Sequence, residues 1–128
     1  MPGERTTEGL GDSYAAAADL TTHQYKFVKL GASGIDVTGA GEAMFGVLLN
    51  DPNTGLAGSV MHFGIGNLVV NGNSVNIAPG DPLESAANGI GVKSTADKKL
   101  VGAIAIDPAT ADGVIISVIV LCRLQASV

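Results

Sequence analysis

The sequence LVGAIAIDPATADGVIISVIVL, residues 100–121, decides the fold of this chain. Two runs rich in branched aliphatic side chains, at 100–106 and 114–121, flank a link that contains one proline and one glycine. Branched aliphatic residues favour extended strands, whereas proline and glycine favour turns. The stretch therefore predicts two long strands joined by a turn, and an antiparallel pair between them.

The second of these runs extends into the longest apolar stretch of the sequence, residues 114–122, which has nine residues and includes Ser117. A membrane-spanning helix needs about 20 apolar residues, so this stretch is too short to cross a bilayer. We interpret it as a core strand. Cys122 at its end is the only cysteine of the chain, so no internal disulfide can form, and we expect a buried, unreactive thiol.

Shorter strand-like segments precede this pair. Residues 25–30 alternate between apolar and polar side chains, with a phase slip at Val28 that we interpret as a β-bulge. Six further short strands are predicted, at residues 43–49, 59–63, 67–70, 73–77, 82–84 and 91–93. All of these segments are of a length typical of strands.

The strongest short-range turn signal is Asn71-Gly72, which lies between the apolar runs 67–70 and 73–77 and predicts a β-hairpin with a two-residue turn. Turn signals recur at roughly ten-residue spacing, and no helical periodicity follows Asp19. The sequence therefore predicts an all-β fold, a small single-domain β-sandwich or barrel.

Residues 1–19 differ in composition from the rest, because glycines alternate with charged residues and the large apolar side chains are Leu10 and Tyr14. This composition predicts a flexible N-terminal arm over residues 1–19, followed by one β domain over residues 20–128. We predict that the arm binds a partner through Leu10 and Tyr14 as apolar anchors. Leu20 and Thr22, where the arm joins the domain, complete the predicted partner-binding residues.

The charge of the chain excludes two classes of partner. The net charge is -5 and the isoelectric point is about 4.7. A chain of this charge repels phosphate backbones and anionic lipid headgroups. We therefore expect neither nucleic acid nor a membrane surface as a partner.

The inventory of chemically active residues is small. The two histidines, His23 and His62, are 39 positions apart, and there is no Cys-x-x-Cys or His-x-x-x-His spacing for a zinc site. The Gly-Ile-Gly sequences at 64–66 and 89–91 precede predicted strands, whereas phosphate-binding glycine loops open a helix. The sequence thus predicts no catalytic residue, no metal site and no cofactor, and a protein that is not an enzyme.

Five segments carry a resemblance to a known family. In order along the chain they are DLTTHQYKFVKL (19–30), EAMFGVL (42–48), IAPGDPL (77–83), LVGAIA (100–105) and DGVIISV (112–118). In this order and spacing, over residues 19 to 124, the chain resembles the small head-decoration, or capsid cement, proteins of tailed bacteriophages. Its N-terminal arm is longer than that of the family, and no residue-level binding motif carries over.

The resemblance implies a compact β-sandwich or "β-tulip" domain without a catalytic site, bound to the outer face of an assembled head, commonly as a trimer. The implied partners are the major capsid protein and further copies of the chain. The implied location is the outer capsid surface of the virion, after synthesis in the host cytoplasm. Binding to the mature, expanded lattice and not to the precursor shell would then stabilise the mature state.

A carbohydrate- or cell-surface-binding β module is the alternative function. Such a module needs exposed aromatic side chains around a groove. The chain has no tryptophan, two tyrosines and three phenylalanines, several of which fall at predicted core positions.

Overall fold

The computed structural model describes residues 11–95 and 100–122, which form ten strands and one short 3-10 turn, Ala87–Gly89. The strands are β1 (Gly11–Ala15), β2 (Phe27–Gly31), β3 (Gly34–Val37), β4 (Gly46–Leu48), β5 (Ala57–Met61), β6 (Gly64–Asn71), β7 (Pro82–Ser85), β8 (Gly91–Lys93), β9 (Ala103–Ala105) and β10 (Asp112–Val120). The predicted all-β class is confirmed, in the form of two five-stranded sheets. No helix in the described ranges has the length and apolar character needed to span a membrane.

The first sheet has the strand order β1-β5-β4-β2-β3, with antiparallel neighbours. Its two edges meet, because the N–H of Ala17 donates to the carbonyl of Ile35 at 2.8 Å. Glycine is required at position 34, where φ is +125° and a Cβ would lie 2.1 Å from the carbonyl oxygen of Ala15. The sheet therefore curls around its own interior, which we call the smaller core and which consists of Ala16, Leu20, Val28, Ile35, Leu48 and Val60.

The second sheet is a closed barrel with the strand order β10-β6-β8-β7-β9, and β9 pairs back onto β10. Side chains point alternately inward and outward along each strand. The interior is narrow: a Cβ at Gly91 would lie 2.6 Å from a methyl carbon of Leu68. The side chains that fill the barrel include Leu68, Val70, Leu83, Ala103, Ala105, Ile116, Val118 and Val120, and we call this interior the barrel core.

β2 contributes to both cores. Phe27 packs with the barrel core and the next residue, Val28, packs in the smaller core, and both are 0% exposed. Val28 pairs in continuous register with Val37 of β3 and Gly46 of β4. The predicted bulge at Val28 is therefore wrong: the phase slip arises because the strand is buried on both faces.

The closing pair of strands is confirmed. β9 and β10 are antiparallel, with Val118 opposite Ala105 and Val120 opposite Ala103. Cys122 follows this pair and is buried as predicted, and its Sγ lies 3.5 Å from the carbonyl oxygen of Gly102. Burial raises the pKa of Cys122 to about 12, so the thiol is protonated at neutral pH.

The predicted hairpin at Asn71-Gly72 is wrong. β6 ends at Asn71, and the N–H of Gly72 donates to the carbonyl of Ala111 at 2.9 Å. Further along, Ile77 exchanges two backbone hydrogen bonds with Ala109, at 2.9 and 3.0 Å. A Cβ at position 72 would lie 2.2 Å from the carbonyl oxygen of Ala109, so glycine here permits close backbone approach rather than a hairpin turn.

The second half of the predicted flexible arm, residues 1–19, contains a paired strand. β1 pairs with β5 from Gly11 opposite Met61 to Ala15 opposite Ala57, and Ala16 is buried. The glycine-rich, charged composition of this segment indicated an arm. Composition describes side chains, however, whereas strands pair through backbone N–H and C=O groups. Residues 11–19 therefore belong to the folded body, and residues 1–10 lie outside the described residues.

Candidate partner-binding surface

The three predicted partner-binding residues that the structure describes, Tyr14, Leu20 and Thr22, do not form one exposed surface. Leu20 is 1% exposed and packs in the smaller core, so in the single chain its side chain does not face a partner. Tyr14 is half-buried against the same core, whereas Thr22 is exposed. Leu10 lies outside the described residues. Of the described three, Thr22 alone is exposed.

Tyr14 belongs to a cluster of three rings beside the smaller core. The ring of Phe45 lies edge-on to Tyr14 and to His62, with centroid distances of 4.9 and 4.6 Å. Nδ1 of His62 lies 2.9 Å from the carbonyl oxygen of Phe45, which can only accept, so Nδ1 carries a proton and donates. In the neutral ring, Nε2 then accepts from the Tyr14 hydroxyl at 3.1 Å. Both nitrogens are used inside the fold, which leaves His62 poorly placed as a general base.

His23 also serves a contact within the chain. Its Nδ1 lies 3.4 Å from Nζ of Lys26. Burial, followed by the charge of Lys26, lowers the pKa of His23, so the neutral ring is favoured and accepts from the ammonium group. Within residues 11–95 and 100–122, no group of three or more His, Cys, Asp or Glu residues could hold a metal ion.

The outer surface of the barrel carries aliphatic side chains where a strand facing water usually carries polar ones. Ile115 and Ile119 of β10 are exposed, because alternate residues of this strand point into the barrel. Ile119 lies opposite Ile65 of β6 on one side and opposite Ile104 of β9 on the other. Ile104 in turn lies opposite Pro82 of β7. These residues form one apolar row across four strands.

We call this surface the isoleucine face, and it consists of Ile65, Ile104, Ile106, Ile115 and Ile119. Ile65 is 70% exposed and Ile115 is 52% exposed. Ile106 lies beside β10, where its N–H donates to the carbonyl of Ser117 at 2.9 Å. Single exposed apolar residues are common on proteins, but a contiguous group marks an interaction surface.

The isoleucine face is uncharged. Between its isoleucines lie Asn67 and Ser117, which are opposite each other on β6 and β10. At its margin, the carboxylate of Asp107 accepts a hydrogen bond from the N–H of Ser117 at 3.0 Å. A partner surface that packs on this face must therefore itself be apolar or neutral, because a charge buried there would lack a counter-ion.

The rest of the described surface is acidic. Two of its three lysines form ion pairs within the chain, Lys29 with Glu42 at 3.0 Å and Lys93 with Asp81 at 3.5 Å. The acidic excess gives the chain its net charge of -5. The isoleucine face is thus set apart from its surroundings in both polarity and charge.

This face was not predicted from the sequence, because the whole run 114–122 was assigned to the core. The signal was present, since a strand with one face in water alternates between apolar and polar residues, whereas IISVIV at 115–120 is apolar at nearly every position. Such a pattern shows that both faces are apolar. It does not show whether the second face is covered by the same chain.

Comparisons with known proteins give a similarity at the level of fold. No protein-family model and no curated protein matches the chain. Among solved structures, the chain is similar to the N base of head fiber gp8.5 of bacteriophage phi29, with a TM-score of 0.64 and 15% sequence identity. The match covers 87% of this chain and 92% of that chain. The chain therefore shares its fold with a bacteriophage head protein, which confirms at that level the resemblance inferred from its sequence.

Proposed function

We propose that this protein is a decoration protein of a bacteriophage head. It binds the outer surface of the assembled, expanded head and stabilises it by bridging subunits of the major capsid protein. The observation that carries the proposal is the fold shared with a head fiber base, over nearly the full length of both chains. Its place is the outer capsid surface of the virion, after synthesis in the host cytoplasm.

The surface chemistry supports a role in contact rather than in catalysis. The ring nitrogens of His62 and Nδ1 of His23 take part in contacts within the chain, and the Cys122 thiol is buried and protonated. An exposed aliphatic surface, by contrast, is the chemistry of a protein interface.

A homotrimer is the proposed form on the head. Each further contact of a trimer with the coat forms at high effective concentration, so weak single contacts add to durable binding. Because such binding selects the mature lattice, it lowers the free energy of that state relative to the precursor shell.

The N-terminal segment is the proposed contact with the coat. β1 pairs with β5 on one side, and β3 approaches its other side at the end of the strand, so β1 itself is not an open edge. Residues 1–10 directly precede β1, and an extended segment can add a strand to a neighbouring sheet. In this proposal Leu10 is the apolar anchor, and the exposed Thr22 is a weaker candidate.

Co-sedimentation with purified heads tests the proposal. Undecorated mature heads and precursor shells are each mixed with the intact protein and pelleted. We expect the protein to pellet with mature heads, to saturate, and to remain in solution with precursor shells. Mature heads already saturated with unlabelled protein are the control for non-specific trapping.

Failure to bind mature heads at any concentration would contradict the proposal. A variant lacking residues 1–10 tests the segment separately, and unchanged occupancy would remove it from the mechanism. A glycan array with the isolated protein tests the carbohydrate-binding alternative, for which Tyr14 and Phe45 are poorly placed because both are half-buried and pack against each other.

A further inference from the structure

The isoleucine face lies on the outside of the barrel, and no other part of the described chain covers it. We propose that it is the surface through which copies of this protein bind one another, with the same face of each copy meeting at a shared symmetry axis. This inference deepens the proposed function, on which it rests for the trimeric form, by naming the surface that holds the trimer together.

The apolar surface of the isoleucine face is continuous. Ile65, Ile119 and Ile104 lie side by side on three hydrogen-bonded strands, and Ile115 lies on the same side of β10 as Ile119. Branched side chains on paired strands have few rotamers, so they present a fixed surface to a partner. Fixed apolar surfaces of this kind are typical of the interfaces of permanent homo-oligomers.

Charge favours another copy of the chain over other occupants of this face. Acidic groups outnumber lysines on the described surface, so two copies that meet through other faces oppose like charges. The isoleucine face has no charge in its centre, and two such faces meet without repulsion. Around a three-fold axis, the residues nearest the axis face the same residues of the other copies, and an uncharged aliphatic surface is compatible with itself there.

The strands beneath the face limit how a partner can bind. β6 is hydrogen-bonded to β10 and β8, and β10 is hydrogen-bonded to β6 and β9, within a closed barrel. Where β6 pairs with β10, and where β10 pairs with β9, the backbone is not available for strand addition by an extended peptide. Packing of side chains is the remaining mode of contact, and Asn67 and Ser117 can add hydrogen bonds between copies.

The test is sedimentation equilibrium of the intact protein and two single variants over a wide range of concentration. Ile65→Lys places a charge on the most exposed residue of the face, while Leu56→Lys is the matched control on the turn before β5, with exposures of 70% and 61%. We expect the wild type and Leu56→Lys to form the same oligomer. Ile65→Lys should associate roughly a hundredfold more weakly, because its ammonium is buried without a partner.

Circular dichroism and thermal melting establish that each variant is folded. The high exposure of Ile65 in the single chain predicts that lysine is tolerated there. Ile65→Thr, which keeps a β-branched side chain and replaces the ethyl branch with a hydroxyl group, is the second variant if Ile65→Lys does not fold. Ile65→Thr should also weaken association, by a smaller factor than Ile65→Lys.

A monomeric wild type would overturn the inference, and so would an Ile65→Lys protein that assembles as the wild type does. Binding to mature heads, measured on the same variants, shows whether the inference or the proposed function fails. A monomer that loses head binding through Ile65→Lys would assign the face to the coat protein and leave the proposed function intact. An oligomer held by this face that ignores mature heads would overturn the proposed function alone.

Discussion

Thr38 follows β3 and is fully buried, and no described group lies within hydrogen-bonding reach of its hydroxyl oxygen. Its backbone is well paired, because its N–H donates to Phe27 at 3.1 Å and its carbonyl accepts from Gly89 at 2.8 Å. A buried hydroxyl without a partner costs about 1–3 kcal/mol. The backbone of Thr38, and not the polarity of its side chain, therefore connects β2 with the 3-10 turn.

We predict that Thr38→Val raises the free energy of unfolding by about 1 kcal/mol, because valine keeps the shape and removes the unsatisfied hydroxyl. Denaturant unfolding measures the change. The matched control is Ser85→Ala, since the Ser85 hydroxyl donates to the carbonyl of Ala86 at 2.8 Å. It should lower the free energy of unfolding by about 1 kcal/mol. A Thr38→Val protein less stable than the wild type would show that the hydroxyl has a partner.

Burial of a single residue was predictable only where its neighbours in sequence are apolar. Cys122 ends an apolar run and is buried as expected. Leu20 lies among polar and small residues, and its burial depends on a distant turn: its N–H donates to the carbonyl of Pro52 at 3.0 Å. Composition around Leu20 carries no information about that turn, so the residue was assigned to the surface.

At the scale of elements, strands with long apolar runs were predictable and their pairing was less so. β9 and β10 were identified because a short turn joins them. Asn71-Gly72 gave the same local signal, yet β6 pairs with β10 and with β8, which are far away in sequence. A turn motif decides the structure only where the segment that follows has no better long-range partner.

The loop between β3 and β4 is held to β2 by one carboxylate. Oε1 of Glu42 accepts from Nζ of Lys29 at 3.0 Å and from the N–H of Gly39 at 2.6 Å. These hydrogen bonds, with that of Lys29 the larger, lower the pKa of Glu42 in the folded state. A carboxyl group of this kind stabilises the fold above its unfolded pKa, about 4.3, and the stabilisation is lost as the pH falls through the folded pKa.

We predict that Glu42→Gln reduces stability at neutral pH and flattens the loss of stability below about pH 4.3, because the titrating group is absent. Urea midpoints measured from neutral to acid pH test this expectation. Lys29→Met removes the partner of this carboxylate and is the control. It should lower the stability relative to wild type at neutral pH, where Glu42 is charged. If Glu42→Gln follows the wild-type pH profile throughout, the carboxylate does not hold the loop.

At the scale of the whole molecule, the fold class was predictable and the division into two sheets was not. Alternation and turn spacing are local properties, and they indicate strands without assigning them to a sheet. The division depends on long-range strand pairs such as β1 with β5. It also depends on β2, which is buried on both faces and whose phase slip at Val28 predicted a bulge. The candidate interface was missed for a related reason, since covered and uncovered apolar faces have the same sequence pattern.

The shared strand predicts that both sheets unfold together. Phe27 packs with the barrel core while Val28 packs in the smaller core, so loss of one core removes support from the other. Phe27→Ala should lower the free energy of unfolding by about 3–5 kcal/mol. Two probes should report one midpoint in denaturant: tyrosine circular dichroism, to which Tyr14 in β1 contributes, and exposure of the Cys122 thiol beside the barrel.

Leu30→Ala is the control for this last prediction, because Leu30 lies on the same strand and is exposed, and it should change stability little. Coincident midpoints that shift together in Phe27→Ala are the expected result. If the thiol reacts at a lower denaturant concentration than that at which the tyrosine signal is lost, the barrel unfolds separately. β2 would then join two independent sheets without coupling their stability.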